Sequence, residues 1–131
     1  MSPQFEKIKQ HVLGKTYDLS VAFLSPAEMR KVDKKHPHPT NPNTLTETPT
    51  KASGNKPSNV LAFPLSKTSG EILICKDTAY AQAHLYKMGK RNFVTYIFIH
   101  GLLHLQGMDH SATMENEERR IMKKFGFGAH E

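Results

Sequence analysis

The chain holds a single cysteine, Cys75, among its 131 residues. That excludes an intrachain disulfide and any cysteine-rich zinc site, and a lone small thiol of this kind is expected in the core. Long apolar runs are missing as well. No stretch reaches the roughly 18 consecutive apolar residues of a membrane span, and the N-terminal MSPQFEKIKQ carries charges where a secretory signal would carry an apolar run. A cytoplasmic protein with no membrane partner is expected. Aromatic residues are scarce at 8%, and no aromatic RNA-recognition motif appears, so nucleic acid would be met through its backbone charge and not by base reading. Acid is the minority charge, 12 Asp and Glu against 18 Lys and Arg, and the net +6 gives a field that attracts polyanions without identifying one.

What is present reads as one domain over residues 1–131, a length that supports a single core. QFEKIKQHVL (4–13) sets Phe5, Ile8, Val12 and Leu13 at helical spacing, with Gly14 as a stop. YDLSVAFL (17–24) alternates and then turns apolar, as a strand buried on at least one face does. Ser25 then caps a helix through Lys35, with Pro26 in the first turn and Glu28 near its positive end. Residues 36–58 hold Leu45 as their one large aliphatic residue. So little apolar area cannot offset the ordering entropy, which predicts a mobile polar loop with His36 and His38 solvated in it. NVLAFPL (59–65) and GEILIC (70–75) read as strands joined by SKTS. A helix opening at Asp77 or Thr78 runs to Met88, packs through Ala79, Ala83, Leu85 and Tyr86, and closes at Gly89. A last helix over 113–125 turns Ile121, Met122 and Phe125 inward and ends at Gly126.

HGLLHLQGMDH, residues 100–110, spaces three histidines as H-x3-H-x5-H. The run leading into it, FVTYIFIHGLLHL (93–105), favours a strand on propensity alone. A strand would hold His100 and His104 about 13 Å apart, whereas nitrogens sharing one zinc come within roughly 3.5 Å of each other. A helix advances about 6 Å over four residues and returns to nearly the same face. Metal binding therefore selects the helix. Continued to His110, that helix would carry the third ring about 240° away. The chain must break first, and Gly107 is the residue that enters a left-handed conformation at little cost. Three neutral imidazoles leave a fourth tetrahedral corner for water, the pattern of a catalytic zinc. Metzincin proteases share the spacing but carry glutamate where Gly101 stands, and that glutamate accepts the proton of zinc-bound water. Its absence removes the expected base for peptide hydrolysis. Glycine at 101 is expected to leave room beside the metal for a bulkier anionic group.

HGLLHLQGMDH resembles the H-G-x-L-H-L-x-G-Y-D-H signature of the YbeY family of bacterial rRNA maturation factors. SNVLAFPL is similar to that family's P-T-D-V-L-S-F-P segment, GEILICKDTAYAQA to its G-D-I-x-I-S segment and following helix, and Met114 and Glu117 fall near the Met and Glu of its closing helix. The resemblance spans most of residues 19–127. It implies an α+β fold, a small mixed β-sheet packed with helices, with the metal site on a central helix followed by a glycine turn. It further implies a zinc-dependent, single-strand-specific endoribonuclease in 16S rRNA 3′-end maturation and late ribosome quality control. Its zinc ligands would be His100, His104 and His110, one ion per chain, and its partners single-stranded RNA, rRNA and ribosomal subunits. Where the family has an arginine in L-N-x-x-Y-R, MRKVDK places Lys34, which keeps the charge but lacks the planar fork that grips phosphate with two bonds. Arg30, one turn earlier, is the alternative cation. Ser58 and Asn59 replace the family's Thr and Asp, and Met108 its Tyr.

Zinc stabilises the charge that builds on a phosphodiester under attack and makes a protein base dispensable. Asp109 is expected either to accept a ring N–H of a ligand or to serve as a cap or turn residue. Basic residues group at 31–35, 87–91 and 119–124, where Glu115 and Arg119, four apart, are expected to pair. Two other readings stay open: a zinc peptidase whose base comes from elsewhere, such as Glu71, and a non-enzymatic ribosome-assembly factor with a structural zinc.

Overall fold

The computed structural model describes residues 2–35, 57–108 and 111–127. Outside that set lie Asp109, His110 and nearly all of the expected polar loop, including His36 and His38. The elements run α1 (Pro3–Leu13), β1 (Asp18–Phe23), α2 (Pro26–Lys35), β2 (Val60–Ser66), β3 (Ser69–Ile74), α3 (Lys76–Gln82) with a 3-10 turn at Ala83–Tyr86, α4 (Lys90–Gln106) and α5 (Ala112–Lys124). Five α-helices and a three-stranded mixed sheet make the fold α+β. None of the described helices is long and apolar enough to cross a membrane.

β3 is the central strand, parallel to β1 and antiparallel to β2. A tight turn joins β2 to β3, held by the hydroxyls of Ser66 and Ser69 at 2.7 Å and by the Thr68 N–H donating to Ser66 Oγ at 3.2 Å. Strand alternation gives the sheet two apolar faces. Val60, Ala62, Ile72 and Ile74 join the larger core with α1, α4 and α5, while Leu61, Leu73 and Cys75 lie under Met29 of α2. Ser25 and Glu28 fix the start of α2 reciprocally, the Ser25 N–H donating to Glu28 Oε1 at 2.8 Å and the Glu28 N–H to Ser25 Oγ at 3.1 Å.

α4 is the pillar of the domain. FVTYIFIHGLLHL is helical despite its β-branched and aromatic residues, because Phe93, Val94, Ile97, Phe98, Ile99, Leu102 and Leu103 are all buried. Each such side chain contributes about 1.5–3 kcal/mol on burial, far above the few tenths per residue lost in helix propensity. Phe5 of α1 stacks on Phe98 with ring centroids 4.0 Å apart.

The region between β3 and α4 departs from expectation. The helix that opens after β3 tightens at Ala83, and Lys87, at φ 56°, closes it; Gly89 instead precedes α4 as its N-cap. A 3-10 turn advances each residue by a third of a circle, which keeps Ala83 inside and turns Leu85 out to 60% exposure.

Two glycines let α4 lie close to the sheet. A Cβ at Gly70 would stand 2.5 Å from Tyr17 Oη and about 3.0 Å from Leu105 Cδ2, and one at Gly101 3.1 Å from Ile72 Cδ1. Gly70→Ala is therefore expected to lower the unfolding free energy by about 1–3 kcal/mol through overpacking, read by urea titration. Gly89→Ser, whose Cβ meets nothing within 4 Å, is expected to raise it by a few tenths of a kcal/mol by capping α4.

Candidate metal centre

His100 and His104 stand one turn apart on α4, with ring centroids 4.9 Å apart and ring planes at 71°. The Nε2 atoms of both are shut off from solvent. The helix ends at Gly107, at φ 110°, in a cap where the Gly107 N–H donates to His104 O and the Met108 N–H to Leu103 O, each at 3.0 Å. The expected break thus falls at Gly107, three residues after the second histidine. Ser111 opens α5, its Oγ accepting the Met114 N–H at 3.1 Å, and α5 packs against α4.

This packing brings Glu118 of α5 against His100. Met114, Ile121 and Met122 form the apolar face of α5, and Glu118 sits among them at 1% exposure. A carboxylate so placed is costly unless its oxygens are bonded. Tyr96 Oη donates to its Oε1 at 2.9 Å, and His100 Nδ1 forms a short hydrogen bond to its Oε2. With Nδ1 bonded to the carboxylate, a metal on this ring would be bound through Nε2. Two imidazoles converging from one helix face, one oriented by a buried carboxylate, suit a zinc-type ion in donor chemistry. Among the described residues no group of three or more His, Cys, Asp or Glu side chains is gathered for a metal. In a three-ligand site built on this pair, the third ligand would come from outside that set.

Sequence reasoning missed Glu118 and singled out its neighbour. Glu117 pairs at the surface with Arg120, at 3.4 Å. The signal was present in the spacing: 114, 118, 121, 122 and 125 trace one apolar stripe, and only position 118 on it is charged.

Other sequence-singled residues fall as follows. A Cβ at Gly101 would meet Ile72 of β3, so the missing side chain serves helix–sheet packing. Glu71 shares the register parity of Leu73, which packs under Met29, and so lies on the sheet face away from α4. Arg30 and Lys34 are exposed on α2, which covers that same far face. Arg119 donates to Asn116 Oδ1 at 3.2 Å rather than pairing with Glu115. Cys75 is buried beside Thr78, as expected of a core thiol.

Burial, and after it the Glu118 carboxylate, raise the Tyr96 phenol above its ordinary pKa of 10.0. A group raised on folding contributes stability that is present below its unfolded pKa and lost as pH climbs past it. Unfolding free energies from urea titrations between about pH 9 and 12 should therefore fall with pH, and Tyr96→Phe should flatten that slope. Burial raises Tyr17 too, so a residual slope remains.

The family model described as Endoribonuclease YbeY matches residues 2–126. A Wolbachia sp. subsp. Drosophila simulans protein of that description is 36% identical over 83 residues, which cover 56% of this chain and 55% of the relative. One from Gluconobacter oxydans is 37% identical over 81 residues, covering 56% and 48%. One from Finegoldia magna is 26% identical over 129 residues, covering 89% and 74%. The matches thus take in about half the length of the first two relatives. With helix, break and histidine pair in place and the family model matching from residue 2 to residue 126, the chain belongs to the YbeY family.

Proposed function

We propose that this chain is a zinc-dependent endoribonuclease of the cytoplasm, cleaving single-stranded RNA in 16S rRNA 3′-end maturation and late ribosome quality control, with rRNA and ribosomal subunits as its partners. The observation that carries the reading is the His100–His104 pair with Glu118 on His100 Nδ1. The relatives' description as endoribonucleases supports ribonuclease chemistry.

In this reading His110 completes a three-histidine set for one Zn2+ per chain. Zinc held there would supply a Lewis acid for the phosphoryl oxygens and would bring the pKa of bound water toward about 7. The chain's own residues do the rest. Glu118 holds the tautomer of His100, and Asp109, next to His110 in sequence, would either take the like role for a second ring or serve as a cap or turn residue. Asp33 accepts the Ser58 N–H at 2.9 Å and its hydroxyl at 2.6 Å, tying the last turn of α2 to the residues that lead into β2. Lys34 and Arg30 are exposed on that helix, where in this reading they meet the RNA backbone, Lys34 as a point charge and Arg30 as a two-bond fork. A peptidase gains no support: Gly101 packs on Ile72 and Glu71 lies on the far face of the sheet, so neither position supplies a base at the histidines.

The purified zinc form is expected to cut single-stranded and not double-stranded RNA on denaturing gels, and EDTA or His104→Ala should abolish the cutting. Cutting that survives His104→Ala would assign the activity to a contaminating nuclease, and cleavage of casein would assign the site to peptides. Glu118→Gln, checked by circular dichroism for an intact fold, should weaken zinc about 10–100-fold in a chelator competition. Unchanged affinity would deny Glu118 its positioning role.

A further inference from the structure

The sheet has an open edge on the side away from β2. Among the described residues β1 pairs with β3 alone. The Asp18 N–H donates to Thr68 O at 2.9 Å and the Leu24 N–H to Ile74 O at 2.8 Å. Even-numbered residues of this parallel ladder thus turn their amides to β3, and Leu19, Val21 and Phe23 turn theirs outward. Edge strands are ordinarily guarded by lysine, proline or a bulge. DLSVAF has no lysine and no proline, its pairing runs without a register shift, and its one charge is Asp18 at the start.

A groove of about 490 Å³ runs beside this edge. Val21 and Phe23 of β1, Phe5 of α1 and Tyr80 of α3 wall it, and Lys76 and Arg91 bring charge to it. Phe23 is 48% exposed, with Lys76 Nζ 4.4 Å from its ring centroid. The groove touches α4 at Arg91 and Val94, at the opposite end from His104 and, by helix phase, roughly on its opposite side. It is a separate surface from the metal centre.

We propose that β1 is a docking edge for an extended acidic segment of a partner protein, which adds a fourth strand to the sheet, seats an apolar side chain against Val21, Phe23 and Phe5, and sets carboxylates against Lys76 and Arg91. The outward amides and carbonyls of Leu19, Val21 and Phe23 match the alternating donors and acceptors of a peptide backbone, a pattern that a nucleic acid does not offer. Charge settles the rest. A second copy paired edge to edge would bring its own Lys76 and Arg91 to the same seam, between two chains that each carry +6, whereas an acidic strand neutralises them.

The test uses the full chain and a fluorescein-labelled ten-residue peptide, with alternating valines at its centre and glutamates at both ends, read by fluorescence anisotropy. Two companions carry lysine for glutamate or N-methyl groups at alternate backbone nitrogens. The acidic peptide should bind at least about tenfold tighter than either companion, and the surface double variant Lys76→Glu/Arg91→Glu, checked for fold by circular dichroism, should reverse the charge preference. Indifference to N-methylation, or a charge preference unchanged in the double variant, would overturn the proposal. So would a dimer in sedimentation velocity that the double variant dissolves or tightens, which would give the edge to a second copy.

Discussion

One buried contact organises this molecule: the carboxylate of Glu118 against Nδ1 of His100. A charge at 1% exposure persists only where its oxygens are bonded, and here Tyr96 and His100, one turn apart on α4, bond them. α5 must therefore lie on that face of α4, in that register. The fold-back requires a break soon after His104, which Gly107 provides in its left-handed conformation. The interaction that fixes the packing of two helices also selects which nitrogen of His100 would meet a metal. Structure and site are set by the same hydrogen bond.

The other surroundings of α4 serve to hold it close. Gly70 and Gly101 bring Leu105 and the helix backbone down onto β3, and Phe5 of α1 stacks on Phe98 from another side. A helix enclosed this way carries no polar stripe, and its histidines are two of the few polar side chains it buries or half-buries. On the opposite face of the sheet lies Glu71, and α2, which covers that face, carries the exposed cations Arg30 and Lys34. The sheet thus separates a histidine side from a charged side, and in the ribonuclease reading the RNA backbone has to meet both.

Legibility in the sequence followed physical strength. α1, α2, α5 and the three strands were readable within a residue or two, because each is half-exposed and shows its period, with caps such as Ser25 and stops such as Gly14 and Gly107. α4 was not readable from period or propensity, since it is apolar nearly all round and rich in β-branched residues; the four-residue histidine spacing alone decided for a helix. Leu85 was misplaced because the tightening to a 3-10 turn at Ala83 leaves no mark in composition. The packing of Gly101 on Ile72 was not readable, since a single sequence does not say which neighbour a missing side chain makes room for. Glu118 was passed over for Glu117 by resemblance, although the stripe through Met114, Ile121 and Met122 points to position 118.

The central claim, that His100 and His104 share one ion through Nε2 while Glu118 holds Nδ1 of His100, meets its most direct test in a crystal of zinc-loaded protein with anomalous data collected at the zinc edge. The account predicts one strong peak per chain, about 2.0–2.1 Å from Nε2 of both rings, with the Glu118 carboxylate still on Nδ1. A peak bound through His100 Nδ1, a ligand set that omits either histidine, or no peak at all would contradict it.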